Sequence, residues 1–337
     1  MEKVMSRKLI TISTIMTLMS TSVIADVPNV AADIAPIHSL VSRVMDGVGA
    51  PKLIVQSGAS PHGYRLRPSE AKALQDADHV FWMGEELTPW LDSAIDTLAS
   101  KASVTTLLDQ EGVILHDFRE GALFEAHDHS AHGDDDHDDH DDHDDHDDHD
   151  DHDDHKDHDD HDDHDDHGSH DPHAWLSPEN AKLWLNIIAS KLSVSDPENA
   201  ATYFMNAAAG QAEIEAMIAE VKATLKPVQG GKFVVFHDAY QYFENDFDFY
   251  ASGAISLGDS SDPSPARIEK VQKRIRDEGI QCVLAEPQFK KGLVATVMEG
   301  SDATASVIDP LGAELETGPK LYTRLIKNMA KTLRNCL

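Results

Sequence analysis

Basic side chains are scarce in this 337-residue chain, with 28 lysines and arginines against 61 aspartates and glutamates. A formal net charge of −33 repels polyphosphate, so no nucleic-acid partner is expected. Cysteine is almost missing: only Cys282 and Cys336 occur, with no C-x-x-C pair, which removes the thiolate metal motifs. Long apolar runs are lacking too. The most apolar stretch, Leu9 to Met19, is diluted by Thr and Ser and falls short of the ~20 residues that span a bilayer. Neither H-E-x-x-H nor G-x-S-x-G is found, so the chain is expected not to be an enzyme.

Histidine and aspartate are in excess instead. A near-perfect Asp-Asp-His triplet, broken at Lys156, repeats from Asp138 to His167, and residues 127–170 hold 15 of the 21 histidines: His127, His129, His132, His137, His140, His143, His146, His149, His152, His155, His158, His161, His164, His167 and His170. Residues 127–172 carry 24 aspartates against the single Lys156, which leaves a net charge of −10 for the rest. With almost no apolar side chains the tract cannot offset its ordering entropy, and its charges repel, so residues 127–170 are expected to be a disordered loop. Imidazole and carboxylate at this density suit zinc, nickel and copper(II), so loose, low-affinity metal binding is expected at these histidines. It should weaken on acidification as imidazoles take up protons. An acidic solubilising linker is the alternative, and a histidine at every third place argues against it.

Residues 1–25 read as a secretory signal peptide. Lys3, Arg7 and Lys8 form its positive start, and Val23-Ile24-Ala25 makes a cleavage pattern before Asp26. No cysteine follows, so a lipid anchor is not indicated, and a soluble protein of a bacterial periplasm is expected. In that oxidising compartment Cys282 and Cys336 are expected to form a disulfide that ties the carboxy terminus to the last domain.

Apolar strand runs alternate with helical periodicity on both sides of the tract, which predicts an α/β fold of two lobes, each a mostly parallel sheet flanked by helices. The expected boundaries are 26–195 for the first lobe, 196–225 for one long rigid linking helix of about 40 Å, and 226–337 for the second lobe. Open α/β sheets bind ligands in loops beyond the carboxyl ends of strands. His62 lies in the loop Ser57–Tyr64 that follows such a strand, His237 ends the run Lys232–Phe236, and His173 stands where the tract rejoins folded chain. Together they make a candidate metal site in the interlobe cleft, with Asp309 as candidate fourth ligand. Three imidazoles suit tetrahedral Zn2+, whereas manganese prefers mostly oxygen donors. Asp171 and Asp238 adjoin two of the histidines, as groups that orient an imidazole or as caps on loop amides. His38 and His79 read as structural.

Five segments carry a resemblance: Ser60-Pro61-His62-Gly63-Tyr64 with Leu66-Arg67-Pro68-Ser69, Asp171-Pro172-His173-Ala174-Trp175-Leu176, Phe236-His237-Asp238-Ala239-Tyr240-Gln241-Tyr242-Phe243, Ala285-Glu286-Pro287-Gln288-Phe289, and Asp309-Pro310-Leu311-Gly312. In this order they resemble the solute-binding proteins of bacterial ABC importers for zinc and manganese. The resemblance implies two α/β lobes joined by a long rigid helix. It implies His62, His173 and His237 as ligands, and a histidine-rich loop typical of the zinc members. Manganese-specific relatives tend to carry glutamate where His237 stands, which favours zinc and leaves manganese as the alternative metal. Some zinc members place a ligating glutamate before the first histidine, where Pro61 stands here. The function so implied is capture of Zn2+ and its delivery to the membrane permease of a zinc ABC transporter by a protein expected to be a monomer, the tract collecting or sensing zinc. A periplasmic metal buffer or adhesin without a transporter, and a zinc hydrolase, are the competing readings.

Overall fold

The computed structural model describes residues 27–119, 124, 170–256, 258, 263–288 and 291–337. The signal-peptide reading of residues 1–25 and the metal-binding reading of the histidines from His127 to His167 lie outside the described residues.

Two four-stranded, wholly parallel sheets form the frame. In the first, β1 (Val30–Ala32), β2 (Lys52–Leu53), β3 (His79–Trp82) and β4 (Ser103–Thr106) stand in the order β2-β1-β3-β4. They alternate with α1 (Ala35–Val44), α2 (Pro68–Gln75) and α3 (Pro89–Leu98). In the second, β5 (Phe233–His237), β6 (Ala254–Ser256), β7 (Cys282–Ala285) and β8 (Thr304–Val307) repeat the pattern as β6-β5-β7-β8, with α6 (Gln241–Phe247), α7 (Pro265–Glu278) and α8 (Lys291–Met298) between them. Both orders place a switch point beside the first strand of the sheet, where the carboxyl ends of β1 and β3, and of β5 and β7, open a crevice. The strands are shorter than the apolar runs suggest. Pairing nevertheless continues past β2, with Ile54 N–H donating to the Ala32 carbonyl at 2.9 Å and Val55 N–H to the Asp33 carbonyl at 2.8 Å.

Proline sets several helix starts. Pro68, Pro89, Pro178 and Pro265 each take the first helical position, where a missing N–H costs nothing. Between the lobes run α4 (Pro178–Ser195) and α5 (Ala200–Leu225). The linking helix thus begins at Ala200, four residues later than the sequence suggests. Asp196 ends α4 and uses its carboxylate on Asn199 and on the Tyr203 hydroxyl, 2.7 Å away, which makes residues 196–199 a turn. At 26 residues α5 is about 39 Å long at ~1.5 Å per residue.

α5 packs on α1, α4 and the carboxy-terminal α9 (Leu321–Cys336). One apolar core therefore runs from Val30 and Phe81 of the first lobe through Trp184, Tyr203, Ile214 and Val221 to Phe233, Tyr322 and Leu333 of the second. Gly210 permits the closest approach, since a Cβ there would lie 2.9 Å from Leu185 and 3.1 Å from Arg43. Polar contacts add to the weld. Trp175 donates to the Pro310 carbonyl at 2.8 Å, Tyr322 Oη to the Trp175 carbonyl at 2.9 Å, and Ser39 Oγ to the Gly318 carbonyl at 2.7 Å. The expected disulfide is present, joining Cys282 at the start of β7 to Cys336 at the end of α9 with 5.6 Å between Cα atoms.

Candidate metal centre

His237 is the last residue of β5, and Glu286 follows the last residue of β7. The register that sets Val235 opposite Leu284 brings these two side by side at the switch point when continued by two residues. There His237 Nδ1 lies 2.6 Å from Glu286 Oε1, while Gln288 donates to Glu286 Oε2 at 2.7 Å. His173 precedes a short 3-10 turn, Ala174–Leu176, whose Trp175 is locked between the lobes. Its Nδ1 lies 2.6 Å from Asp171 Oδ1, and its backbone N–H donates to the same oxygen at 3.0 Å. Asp171 thereby meets both sequence expectations, orienting an imidazole and capping a loop amide. His62 reaches the same point from the loop between β2 and α2. His173 and His237 are buried and His62 is half-buried.

The three rings converge through Nε2. His62 Nε2 stands 3.4 Å from His173 Nε2, and His173 Nε2 stands 3.3 Å from His237 Nε2. All three ligand atoms fall within 4.8 Å of one another. Ligands at ~2.05 Å from a tetrahedral zinc are separated by about 3.3 Å, and the two Nε2 spacings match that separation. The carboxylates sharpen the point. With Asp171 and Glu286 each accepting an Nδ1–H, the Nε2 atoms of His173 and His237 both present lone pairs to the shared space. Two lone pairs 3.3 Å apart repel unless a cation lies between them.

Asp309 is not brought into this group. Its carboxylate accepts the backbone N–H groups of Leu311 at 3.0 Å, Gly312 at 2.8 Å and Ala313 at 2.6 Å, which is how the chain turns after β8. Burial, more than the nearby Glu286, pushes its carboxyl above the usual range. Asp238 also departs from expectation. It touches neither loop amides nor a ligand imidazole among its hydrogen bonds, and pairs instead with Arg119, which reaches across from the first lobe and also holds Glu244. Desolvation raises both carboxyls while Arg119 draws them down, and the two carboxylates hold the guanidinium charged despite its burial.

Of the tract, the described His170 pairs through Nδ1 with Asp117 Oδ1 at 2.9 Å, next to an antiparallel bridge between the same residues. His170 is thus three residues from His173. His38 and His79 are buried, bonding to the Pro51 carbonyl and the Ser195 hydroxyl, as structural histidines do. Sequence reasoning missed Glu286 and Arg119. For Glu286 a signal existed, an acidic residue directly after a short apolar run; for Arg119 there was none.

A family model described as the periplasmic component A of the zinc-uptake complex, ZnuA, matches residues 30–336. The high-affinity zinc uptake system protein ZnuA of Brucella abortus (strain 2308) is 50% identical over 308 residues, covering 91% of each chain. Its counterpart from Paracoccus denitrificans (strain Pd 1222) is 46% identical over 314 residues, 93% of each. A crystal structure of ZnuA superposes with a TM-score of 0.69 at 19% identity, over 92% of this chain and 99% of that one, and so shares the fold. The chain belongs to the ZnuA family, the periplasmic components of zinc-uptake complexes.

Proposed function

We propose that this chain captures Zn2+ in the periplasm at His62, His173 and His237 and delivers it to the membrane permease of a zinc ABC importer. The observation that carries the reading is the convergence of the three Nε2 atoms at tetrahedral spacing, two of them 3.3 Å apart. Three nitrogen donors favour zinc over manganese. The fourth position is left to solvent, since Asp309 is committed to backbone amides. Zinc here is cargo, so the arrangement has to bind and release. Lobes at 26–195 and 226–337, welded along the helix between them, favour small adjustments at the cleft over wide hinge closure. The protein works as a monomer after loss of residues 1–25.

The Asp-His tract is a low-affinity collector beside the tight site, and its described end, His170, is three residues from His173. Calorimetric titration of the full mature chain should show one tight zinc site and several weaker ones. His237→Ala should abolish the first and spare the others, and deletion of residues 127–170 should do the reverse. A tight site that survives His237→Ala would overturn the assignment. Rescue of growth in a zinc-starved strain lacking its own uptake protein separates delivery from mere buffering or adhesion.

A further inference from the structure

His62 is the half-buried member of the triad, and its loop is held by side chains outside the metal centre. Pro61 has no N–H, and its carbonyl accepts Trp90 Nε1 at 2.7 Å. Trp90, the second residue of α3, is packed against the apolar clusters on both faces of the first sheet, so this donor stands on a fixed base. On the other side of His62, the Tyr64 ring lies 5.7 Å from that of Trp90, and its hydroxyl donates to Glu70 Oε1 at 2.7 Å. Glu70 is 3% exposed, sits in the first turn of α2, and takes the Arg67 N–H on its other oxygen at 2.7 Å. One hydrogen bond before His62 and one after it therefore hold its loop, together with the His62 N–H, which donates to Ser60 Oγ at 3.2 Å.

The other two ligands belong to a wall that cannot move alone. His173 shares its segment with Trp175 and with Asp171, whose carbonyl accepts the Tyr242 hydroxyl of the second lobe at 2.7 Å. His237 ends a central strand and is held by Glu286. His62 is half-buried where His173 and His237 are buried, so its loop is the side of the site most open to the outside.

We propose that Trp90 and Glu70 are positioning residues that set the rate of zinc release, by holding His62 as the one movable arm of the site. This rests on the three-histidine zinc reading. A bound ion leaves when the Trp90–Pro61 and Tyr64–Glu70 bonds give way and His62 swings out, with His173 and His237 staying in place. Each bond is a barrier to release and contributes nothing to the wall.

Two variants of the full mature chain test this. Trp90→Phe keeps the ring packing and removes the donor, and Tyr64→Phe removes only the hydroxyl. Zinc release from the tight site is followed by stopped flow into excess chelator, and the ligand-field spectrum is recorded on the Co2+-loaded protein. Each variant should release zinc about three- to tenfold faster, the effect of losing one hydrogen bond. In a His62→Ala background, where His173 and His237 alone hold zinc and it leaves faster, neither substitution should change release further, because the arm it acts through is gone. Release rates within twofold of the parent in both variants would overturn the proposal. So would equal acceleration in the His62→Ala background, which marks a merely structural role. If His62→Ala itself leaves tight zinc binding intact, the metal-site reading fails, and that result is distinct from the other two.

Discussion

Glu286→Gln is the substitution that most directly probes how the second lobe prepares His237. The carboxylate accepts His237 Nδ1–H at 2.6 Å with its side chain wholly buried, so the bond is charge-assisted and sheltered from water. A hydrogen bond to a charged group contributes about 1.5–3 kcal/mol, which corresponds to roughly 10- to 150-fold in affinity at ~1.4 kcal/mol per decade. Partners behind metal-bound histidines carry about 10- to 100-fold, so the two routes agree. The amide introduced by this substitution can still accept from Nδ1 and preserve the tautomer, so the loss reports the missing negative charge. Glu286→Leu, which removes acceptor and charge together, should lose more. The assay is zinc competition against a chromogenic chelator on protein lacking residues 127–170, with urea unfolding of the metal-free variants to show that they remain folded. Zinc affinity of Glu286→Gln within twofold of the parent, with normal stability, would refute the argument that this carboxylate sets up the ligand.

Arg119→Met should destabilise the metal-free protein by about 3–5 kcal/mol, because it strands the buried carboxylates of Asp238 and Glu244. That deficit should shrink on acidification as the two groups take up protons, and urea midpoints that differ equally at pH 5 and pH 8 would contradict it. Asp33 is fully buried, and burial pushes its carboxyl from 3.8 up to about 7 against the pull of the Ile34 and Met83 amides. The folded protein therefore binds this proton more tightly than the unfolded chain, so the contribution is present at acid pH and is lost as pH rises through about 7, roughly 4 kcal/mol in all. The stability of the parent relative to Asp33→Asn should fall between pH 4 and 7, and parallel profiles would exclude the effect. Reduction of the Cys282–Cys336 bridge, 54 residues apart in sequence, should cost about 4 kcal/mol by loop-closure entropy, read as a lower urea midpoint with dithiothreitol than without. An unchanged midpoint would mean that the unfolded chain gains nothing from being cut loose.

Much of the fold was legible because local rules agree with the global answer. Apolar runs such as Phe233-Val234-Val235-Phe236 are buried on both faces of a parallel sheet, as their lack of alternation indicates. Helix starts followed proline, and Ser177 caps α4 by accepting the Asn180 N–H. Boundaries were less legible. α5 begins after Asp196 rather than at it, because the Asp196 carboxylate accepts both the Asn199 N–H at 3.4 Å and the Tyr203 hydroxyl at 2.7 Å and holds residues 196–199 as a turn. The three histidines could be proposed because His62 and His237 stand at or beyond the carboxyl ends of strands, where sheets bind ligands, and His173 where the tract rejoins folded chain. Asp309 shares that context and yet turns to amides, a choice made by three N–H groups that no spacing rule announces.

By itself the sequence determined the elements: which segments bury both faces, where the disulfide could form, and which side chains carry nitrogen donors. Convergence is another matter. His62, His173 and His237 lie 111 and 64 positions apart along the chain, and only the stacking of two lobes on α5 brings their Nε2 atoms to 3.4 and 3.3 Å. The same holds for Glu286 behind His237, which depends on a strand register, and for Arg119 crossing between lobes to Asp238 and Glu244. Periodicity and capping act over a few residues, whereas distances between ligands follow from packing that sums over the whole core, and so they appear only when the chain is folded.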